Sequence, residues 1–402
     1  MTQTSKADFA RFQTPALFLL VGKNPLPNYV AARLLLKADG TLYVIHTTGP
    51  TGTGHIAQRL ARFFPQHRPQ LIPVDPFDTT MLHHTVKRYL ENAPLGSVGL
   101  NYTGGTKVLA VHTYQVVQEF CQQARREPVF SYLDADTLEL SVEPWENRPA
   151  FRRQAVHSIV VTLEDLFALH DVKLQGRLQQ TPVFPDLARA LALQHSDERG
   201  ISAWRAARGI LNKADQRSWD ALVCALRETA VRPDVLTLLE ILLAGGSSAT
   251  TPLSLGQAAH GAGMKSPREL LLWLEGQWLE NWALHCIRDL GYLHCARSII
   301  GLTPSRFEID VAVMRGYQLF ALSCSVSDDP RTIKLKLLEI YTRARQMGGD
   351  EACVAAVCTV EDSEKLQSEI GREWEVENRV RVFGRKHLPE LQNHLAAWFE
   401  TL

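Results

Sequence analysis

The sequence predicts an α/β protein of two principal units, and three observations carry that prediction. Short apolar runs alternate with helix-length amphipathic segments over the first 145 residues. A glycine-rich turn, Asn101-Tyr102-Thr103-Gly104-Gly105-Thr106-Lys107, stands where one such run meets a helix. Beyond residue 264 a second pattern follows, of helix, antiparallel ribbon, helix and strand. At 402 residues the chain also exceeds what one hydrophobic core usually supports.

Residues 16–21, 41–47, 70–74, 96–102 and 129–133 read as strands, with helices at 28–36, 54–64, 79–91 and 106–123 between them. That alternation implies right-handed crossovers and a mainly parallel sheet. Residues 138–142 follow Asp134-Ala135-Asp136-Thr137 closely enough to close a terminal hairpin. The stretch 146–263 reads as a mainly helical connector, clearest at 156–169 and 219–230, with a boundary near the small-residue segment 245–251. From 266 a long helix runs to 290. Strands follow at 297–301, 308–314 and 318–323, then a helix at 333–347 closed by Gly348-Gly349, and a strand at 352–360.

Composition narrows the function classes. Lys plus Arg equals Asp plus Glu at 43 each, so no global positive field draws the protein to nucleic acid, and any such contact must be a local patch. Seven cysteines without a C-x-x-C pair give neither a disulfide framework nor a zinc spacing, which suits a reducing compartment. Residues 1–13 hold no apolar signal core, and no run of about 18 apolar residues occurs, so the expectation is a cytoplasmic protein with no membrane partner. His46, His55, His83, His84, His112 and His170 have no partner at ligand spacing and read as satisfied or surface histidines. Trp273, Trp278 and Trp282 fall at helical spacings suited to a core, and Cys324 reads as a buried strand thiol.

Gly104-Gly105-Thr106-Lys107 sits at a strand-to-helix junction, where backbone amides and the positive helix end face an anion. Its spacing is not that of a Walker loop, and a plain glycine turn with a solvated lysine stays open. Gly22-Lys23-Asn24-Pro25 and Thr47-Thr48-Gly49-Pro50-Thr51-Gly52 follow two other strands on the same rim. A competitor is Gly52-Thr53-Gly54-His55-Ile56-Ala57, which fits G-x-G-x-x-A with Asp75 at the distance of a ribose contact, the pattern of a dinucleotide site.

At these residues, over about 14–145, the chain resembles the CARF domain, the CRISPR-associated Rossmann fold of ancillary type III effectors. The resemblance rests on the strand order and on N-Y-T-G-G-T-K after the fourth strand. It implies a homodimer whose paired rims hold one cyclic oligoadenylate, most often cyclic tetra-adenylate, with Asn24, Thr47, Thr48, Thr103, Gly104, Gly105, Thr106 and Lys107 lining the ligand.

Residues 264–402 resemble the PD-(D/E)xK restriction-endonuclease-like core that follows CARF in the Can-type nucleases. That core implies a divalent ion, Mg2+ or Mn2+, and cleavage of DNA and/or RNA. Glu280 matches the helix acid and Asp310 the strand acid, but Ser323-Cys324-Ser325 stands where E-x-K is expected. One explanation is a displaced site of Glu280, Asp310, Lys336 and Glu339, with Glu280, Asp310 and Glu339 on the metal. Against it stands the reading of Lys336 and Glu339 as an ordinary i, i+3 surface pair. The other explanation is a catalytically degenerate domain that binds nucleic acid or a partner without cutting, with Lys334, Lys336, Arg343 and Arg345 free to contact phosphates.

Overall fold

The structure, a computed structural model, describes residues 6–213, 219–243, 259–260, 263–303, 305–376 and 379–401. The first unit runs β1 (Thr14–Leu20), α1 (Leu26–Leu35), β2 (Leu36–Thr47), α2 (Gly54–Arg62), β3 (Gln70–Val74), α3 (Thr79–Glu91), β4 (Val98–Asn101), α4 (Lys107–Ala124) and β5 (Pro128–Leu133). Strand runs such as Phe18-Leu19-Leu20 are buried on both faces, as parallel strands covered by helices must be. Asp78 and Thr106 accept the Met81 and Leu109 amides and so start α3 and α4.

The sheet order is β3-β2-β1-β4-β5-β6-β7, parallel through β5 and then antiparallel through β6 (Glu139–Val142) and β7 (Phe151–Gln154). Chain direction reverses its progress between β1 and β4, which opens a crevice at their carboxyl ends. β7 lies where the sequence reads helical. Its Arg152 and Arg153 hide the strand pattern, and its anchor is remote: Phe151 packs against Phe9 and Phe12 at centroid distances of 5.7 and 4.6 Å.

From there the chain weaves between the units. Of the expected helix at 156–169 only α5 (Leu163–Leu169) forms, because the residues before it pair with another part of the protein: the Val161 amide donates to the Gly316 carbonyl at 2.9 Å. β8 (Lys173–Leu174) already belongs to the second sheet. Helices α6 (Pro185–Gln194), α7 (Glu198–Leu211), α8 (Trp219–Arg227) and α9 (Pro233–Leu243) follow, and the expected boundary at 245–251 lies outside the described residues.

The second unit contains α10 (Pro267–Leu272), a π-turn at Trp273–Gln277, α11 (Trp278–Asp289), β9 (Cys295–Thr303), β10 (Ser305–Arg315), β11 (Gln318–Ser325) and α12 (Pro330–Gly348). β12 (Cys353–Cys358), α13 (Ser363–Trp374), β13 (Val380–Phe383) and α14 (Leu391–Glu400) complete it. Its sheet runs β13-β12-β11-β10-β9-β8, with β9, β10 and β11 antiparallel and β11, β12 and β13 parallel.

One continuous core joins the facing sides of the two sheets, from Leu17 and Val129 through Val156 and Phe167 to Met314, Leu337 and Val382. A second core, including Trp204, Trp273, Trp278, Trp282, Phe320 and Trp398, lies between the other face of the second sheet and the helices α6, α7, α9, α11 and α14. The three tryptophans of the long helix are thus core residues, and no described helix is long and apolar enough to cross a membrane. All seven cysteines are free.

The Phe9–Phe12–Phe151 cluster is what fastens the edge strand β7. Phe151→Ala is expected to lower stability by about 1–2 kcal/mol, below the cost of a fully buried phenylalanine because Phe151 keeps some exposure. Urea unfolding measures it, and no change in midpoint would refute this role for the cluster.

Candidate functional site

Two places gather chemistry-bearing side chains. The first is the crevice between β1 and β4. Here the loops after the two strands press together so closely that side chains are excluded: a Cβ on Gly104 would lie 2.2 Å from the Leu20 carbonyl oxygen and 3.0 Å from the Gly22 nitrogen. Gly105 has φ +81°, the left-handed region that glycine tolerates best. Buried Asn28 ties the same corner through a 2.9 Å bond from Nδ2 to the Leu20 carbonyl, and buried Asn101 braces the next strand through Ser131.

The resulting cleft has a volume of about 330 Å³, and of the sequence-predicted ligand residues Asn24, Thr103, Gly104 and Gly105 line it. Thr103 Oγ1 accepts the Leu133 amide at 2.7 Å. Thr106 caps α4, and Lys107 begins that helix with its side chain exposed, beyond the cleft lining. The Thr47-Thr48 loop is turned inward on itself: Thr47 and Thr53 exchange amide-to-hydroxyl bonds at 3.2 Å, and Thr48 bonds the Val74 carbonyl. Neither threonine lines the cleft.

Asn24 is more engaged than its sequence suggests. Its Oδ1 accepts the Leu26 amide at 3.0 Å and lies 3.2 Å from His170 Nε2, whose ring is otherwise held on the Leu166 carbonyl. Burial pushes the His170 imidazole down to about 4, so it is neutral at physiological pH. Sequence reading assigned His170 no role, because its partner stands 146 residues away. The cleft is also lined by Tyr317, Arg345, Gly349, Asp350 and Glu351 from the second unit, which no local motif announces.

The second place is the fork where β10 leaves β11. Their pairing begins at Val311↔Leu322, and Asp310 stands just before it. On the other side the β9–β10 ladder skips the Asp310–Ser298 step, where Ser298 takes a left-handed φ of +48°. Side-chain direction inverts there: Ile309 faces the shared core and Val311 the opposite one. Asp310 Oδ2 accepts the Ser323 hydroxyl at 3.1 Å and the Cys324 amide at 2.7 Å. Where E-x-K was expected, the strand therefore supplies two donors that hold the aspartate. The Cys324 thiol is buried and burial drives its pKa well up, as befits a core thiol.

Glu280 arrives from α11, just after the π-turn. Its Oε2 accepts the Ser298 hydroxyl at 2.6 Å, and that hydroxyl in turn receives Arg297 Nη1 at 3.2 Å. By area Glu280 and Asp310 keep some exposure, yet protein atoms surround both carboxyl groups. Desolvation, reinforced by the nearby Asp310 charge, pushes Glu280 up to about 8. Desolvation raises Asp310 as well, with Lys336 opposing and Glu339 adding to the shift.

Lys336 and Glu339 thus act on Asp310 through its field, but both side chains are exposed and no ion pair joins them. Among the described residues no three His, Cys, Asp or Glu side chains are grouped to hold a metal ion. The other expected phosphate contacts are occupied: Lys334 pairs with Glu373 at 2.5 Å, Arg345 with Asp350, and Arg343 lies 5.3 Å over the Phe307 ring.

Fold and geometry together define a class: a Rossmann-like unit with a glycine rim at its switch point, packed on an α/β unit with a mixed six-stranded sheet. No family model and no curated protein matches the chain. Solved structures do. The chain is similar to Can2 from Sulfobacillus thermosulfidooxidans in complex with cyclic tetra-adenylate, with TM-score 0.66 and 15% identity over 98% of this chain and 100% of that one. It is also similar to protein VC1899 from Vibrio cholerae, with TM-score 0.65 and 13% identity over 96% and 98% of the two chains. At these identities the likeness shows a shared fold over essentially the whole length.

The raised Glu280 pKa has a measurable sign. Below its ordinary 4.5 the carboxyl is protonated in both folded and unfolded chains; between there and about 8 only the unfolded chain ionises freely, so stability falls as pH rises through that window. Glu280→Gln keeps the Ser298 contact and removes the charge. It is expected to raise stability at pH 7 by about 1–2 kcal/mol and to flatten the decline between pH 5 and 8. Denaturant unfolding at several pH values checks this, and an unchanged slope refutes it.

Proposed function

We propose that the chain is a cyclic-oligoadenylate-activated, metal-dependent nuclease of type III CRISPR antiviral defence, acting in the cytoplasm as a homodimer, with cyclic tetra-adenylate as activator and DNA and/or RNA as substrate. The observation that carries the reading is the glycine rim at the β1/β4 crevice, in a chain whose fold follows that of cyclic tetra-adenylate-bound Can2 from end to end. Exposed amides at this rim suit the phosphates of such a ring, and a protein two-fold axis matches a ring of repeating units. Asn24, Thr103, Gly104 and Gly105 are its nearest contacts, with Thr47, Thr48, Thr106 and Lys107 on the same rim.

The responding site is Glu280, Asp310, Lys336 and Glu339. Two desolvated carboxyl groups of raised proton affinity, with serine hydroxyls beside them, fit an oxygen-seeking Mg2+ or Mn2+. Glu280 and Asp310 would hold the ion with Glu339 the next acid, and the ion would supply charge neutralisation at a phosphodiester and a more acidic water. Lys336 would face the phosphate. Ser298, Ser323 and the Cys324 amide orient the two carboxylates.

A second reading has its own support. The exposed positions of Lys336 and Glu339 and the missing E-x-K favour a ligand-responsive dimer whose second unit binds nucleic acid or a partner without cutting. The dinucleotide alternative at Gly52–Ala57 is weaker, since it lies at β2, off the switch point, and Asp75 is taken up by its own turn through the Phe77 amide.

Full-length protein with cyclic tetra-adenylate and Mn2+ is expected to cut single-stranded or supercoiled nucleic acid, with Glu280→Ala and Asp310→Ala each losing roughly 100-fold or more. Tight ligand binding in calorimetry without cutting, under any divalent ion, would establish the second reading. Cleavage unchanged in both variants would overturn the site. Gly104→Ala is expected to abolish ligand binding in the same calorimetry, because its methyl group would enter the Leu20 carbonyl.

A further inference from the structure

The cleft at the glycine rim is closed on its far side by the second unit of the same chain. Arg345 lies in the last turn of α12, and Gly349, Asp350 and Glu351 follow it directly. The contact is close: Gly349 has φ +72°, and a Cβ there would lie 2.1 Å from Asn24 Nδ2. Arg345 stacks on Tyr341 at 5.6 Å and pairs with Asp350, both partners of that pair being substantially solvent-accessible. Glu351 differs from its neighbours. It is 3% exposed, lines the cleft, and its Oε1 has no hydrogen-bond partner. Desolvation pushes its carboxyl up to about 7, so at neutral pH it can donate as well as accept a hydrogen bond.

We propose that the turn 345–351 is a second wall of the ligand site, in which Arg345 leaves Asp350 for a ligand phosphate, Glu351 hydrogen-bonds the ligand, and α12 carries the contact to Lys336 and Glu339. This rests on the cyclic-oligoadenylate reading and adds ligand residues that lie outside the first unit. The exchange is favourable in kind, because a phosphate offers the guanidinium a bidentate partner, while the Asp350 carboxylate left behind is solvent-accessible and its repulsion of the ligand is screened by water. From Arg345 to Lys336 is nine residues of unbroken helix, about 14 Å, so a shift at one end moves the other as a rigid body.

Calorimetry on the full chain, without added metal and with cyclic tetra-adenylate as the probe, tests the wall. Arg345→Ala is expected to bind about 10-fold more weakly, and Asp350→Asn a few-fold more tightly, because it releases Arg345 and removes a like charge from the ligand's path. Both side chains are largely exposed, so the fold tolerates either change, and the gain in Asp350→Asn cannot come from misfolding. Equal affinity in wild type and both variants overturns the second wall and leaves the rim reading standing. Absence of binding by wild type overturns the rim reading, and this wall with it. Hydrogen exchange at saturating ligand tests the helix: amides of residues 333–343 are expected to slow in wild type and not in Arg345→Ala. Equal slowing in both overturns the role given to α12.

Discussion

Holding Glu280 beside Asp310, both largely desolvated, is the demand around which the second unit is built. Two carboxyl groups whose proton affinity burial raises, Glu280 further raised by the Asp310 charge, cost stability at neutral pH, and a sheet selected for stability alone would not place them together. The surroundings show the accommodation. A π-turn resets the long helix just before Glu280, Ser298 adopts a left-handed conformation to present its hydroxyl, and the ladder skips a step at Asp310. Three local departures from regular structure converge on these two acids.

The first unit answers to a different constraint, the near contact of two backbone segments at the β1/β4 crevice. Gly22, Gly104 and Gly105 leave no room for side chains of their own, so at that corner the cleft is lined by peptide backbone, with Lys23, Asn24 and Thr103 beside it. The threonines after β2 serve this arrangement indirectly, since the Thr47–Thr53 bonds and the Thr53 bond to the Val21 carbonyl fix the loop beside it.

Much of the fold was legible because its signals are local. Parallel strands buried on both faces read as apolar runs, the helices between them carry their own caps, and Gly348-Gly349 marks the end of α12. What was illegible depends on partners far along the chain. β7 is held by Phe9 and Phe12, residues 155–162 are held by Gly316, and His170 is placed by Asn24. Within the candidate site, Glu280 and Asp310 were singled out by the resemblance to a nuclease core, as its helix acid and strand acid. Ser298 and Arg297 were not, because an unremarkable strand sequence conceals a left-handed residue. The basic residues of α12 show the converse: read as a free phosphate-binding set, Lys334 and Arg345 prove to be paired with Glu373 and Asp350, and Arg343 to lie on Phe307.

The two sites share α12, with Arg345 lining the cleft and Lys336 and Glu339 within reach of Asp310. A ligand shifts a conformational equilibrium only by as much as it binds one state better than the other, and about 1.4 kcal/mol of difference moves the balance tenfold. Contacts confined to the first unit would be made equally in every position of the second, and would shift nothing between them. A cleft walled by both units is different, because closing it on a ligand selects one relative placement of the glycine rim and the Gly349 turn. The continuous core between the sheets then favours passing such a choice along the helix over absorbing it locally, since packed interiors move as bodies and not as fluids. By that route the environment of Asp310, set in part by Lys336 and Glu339, would become a function of what fills the cleft between the two units.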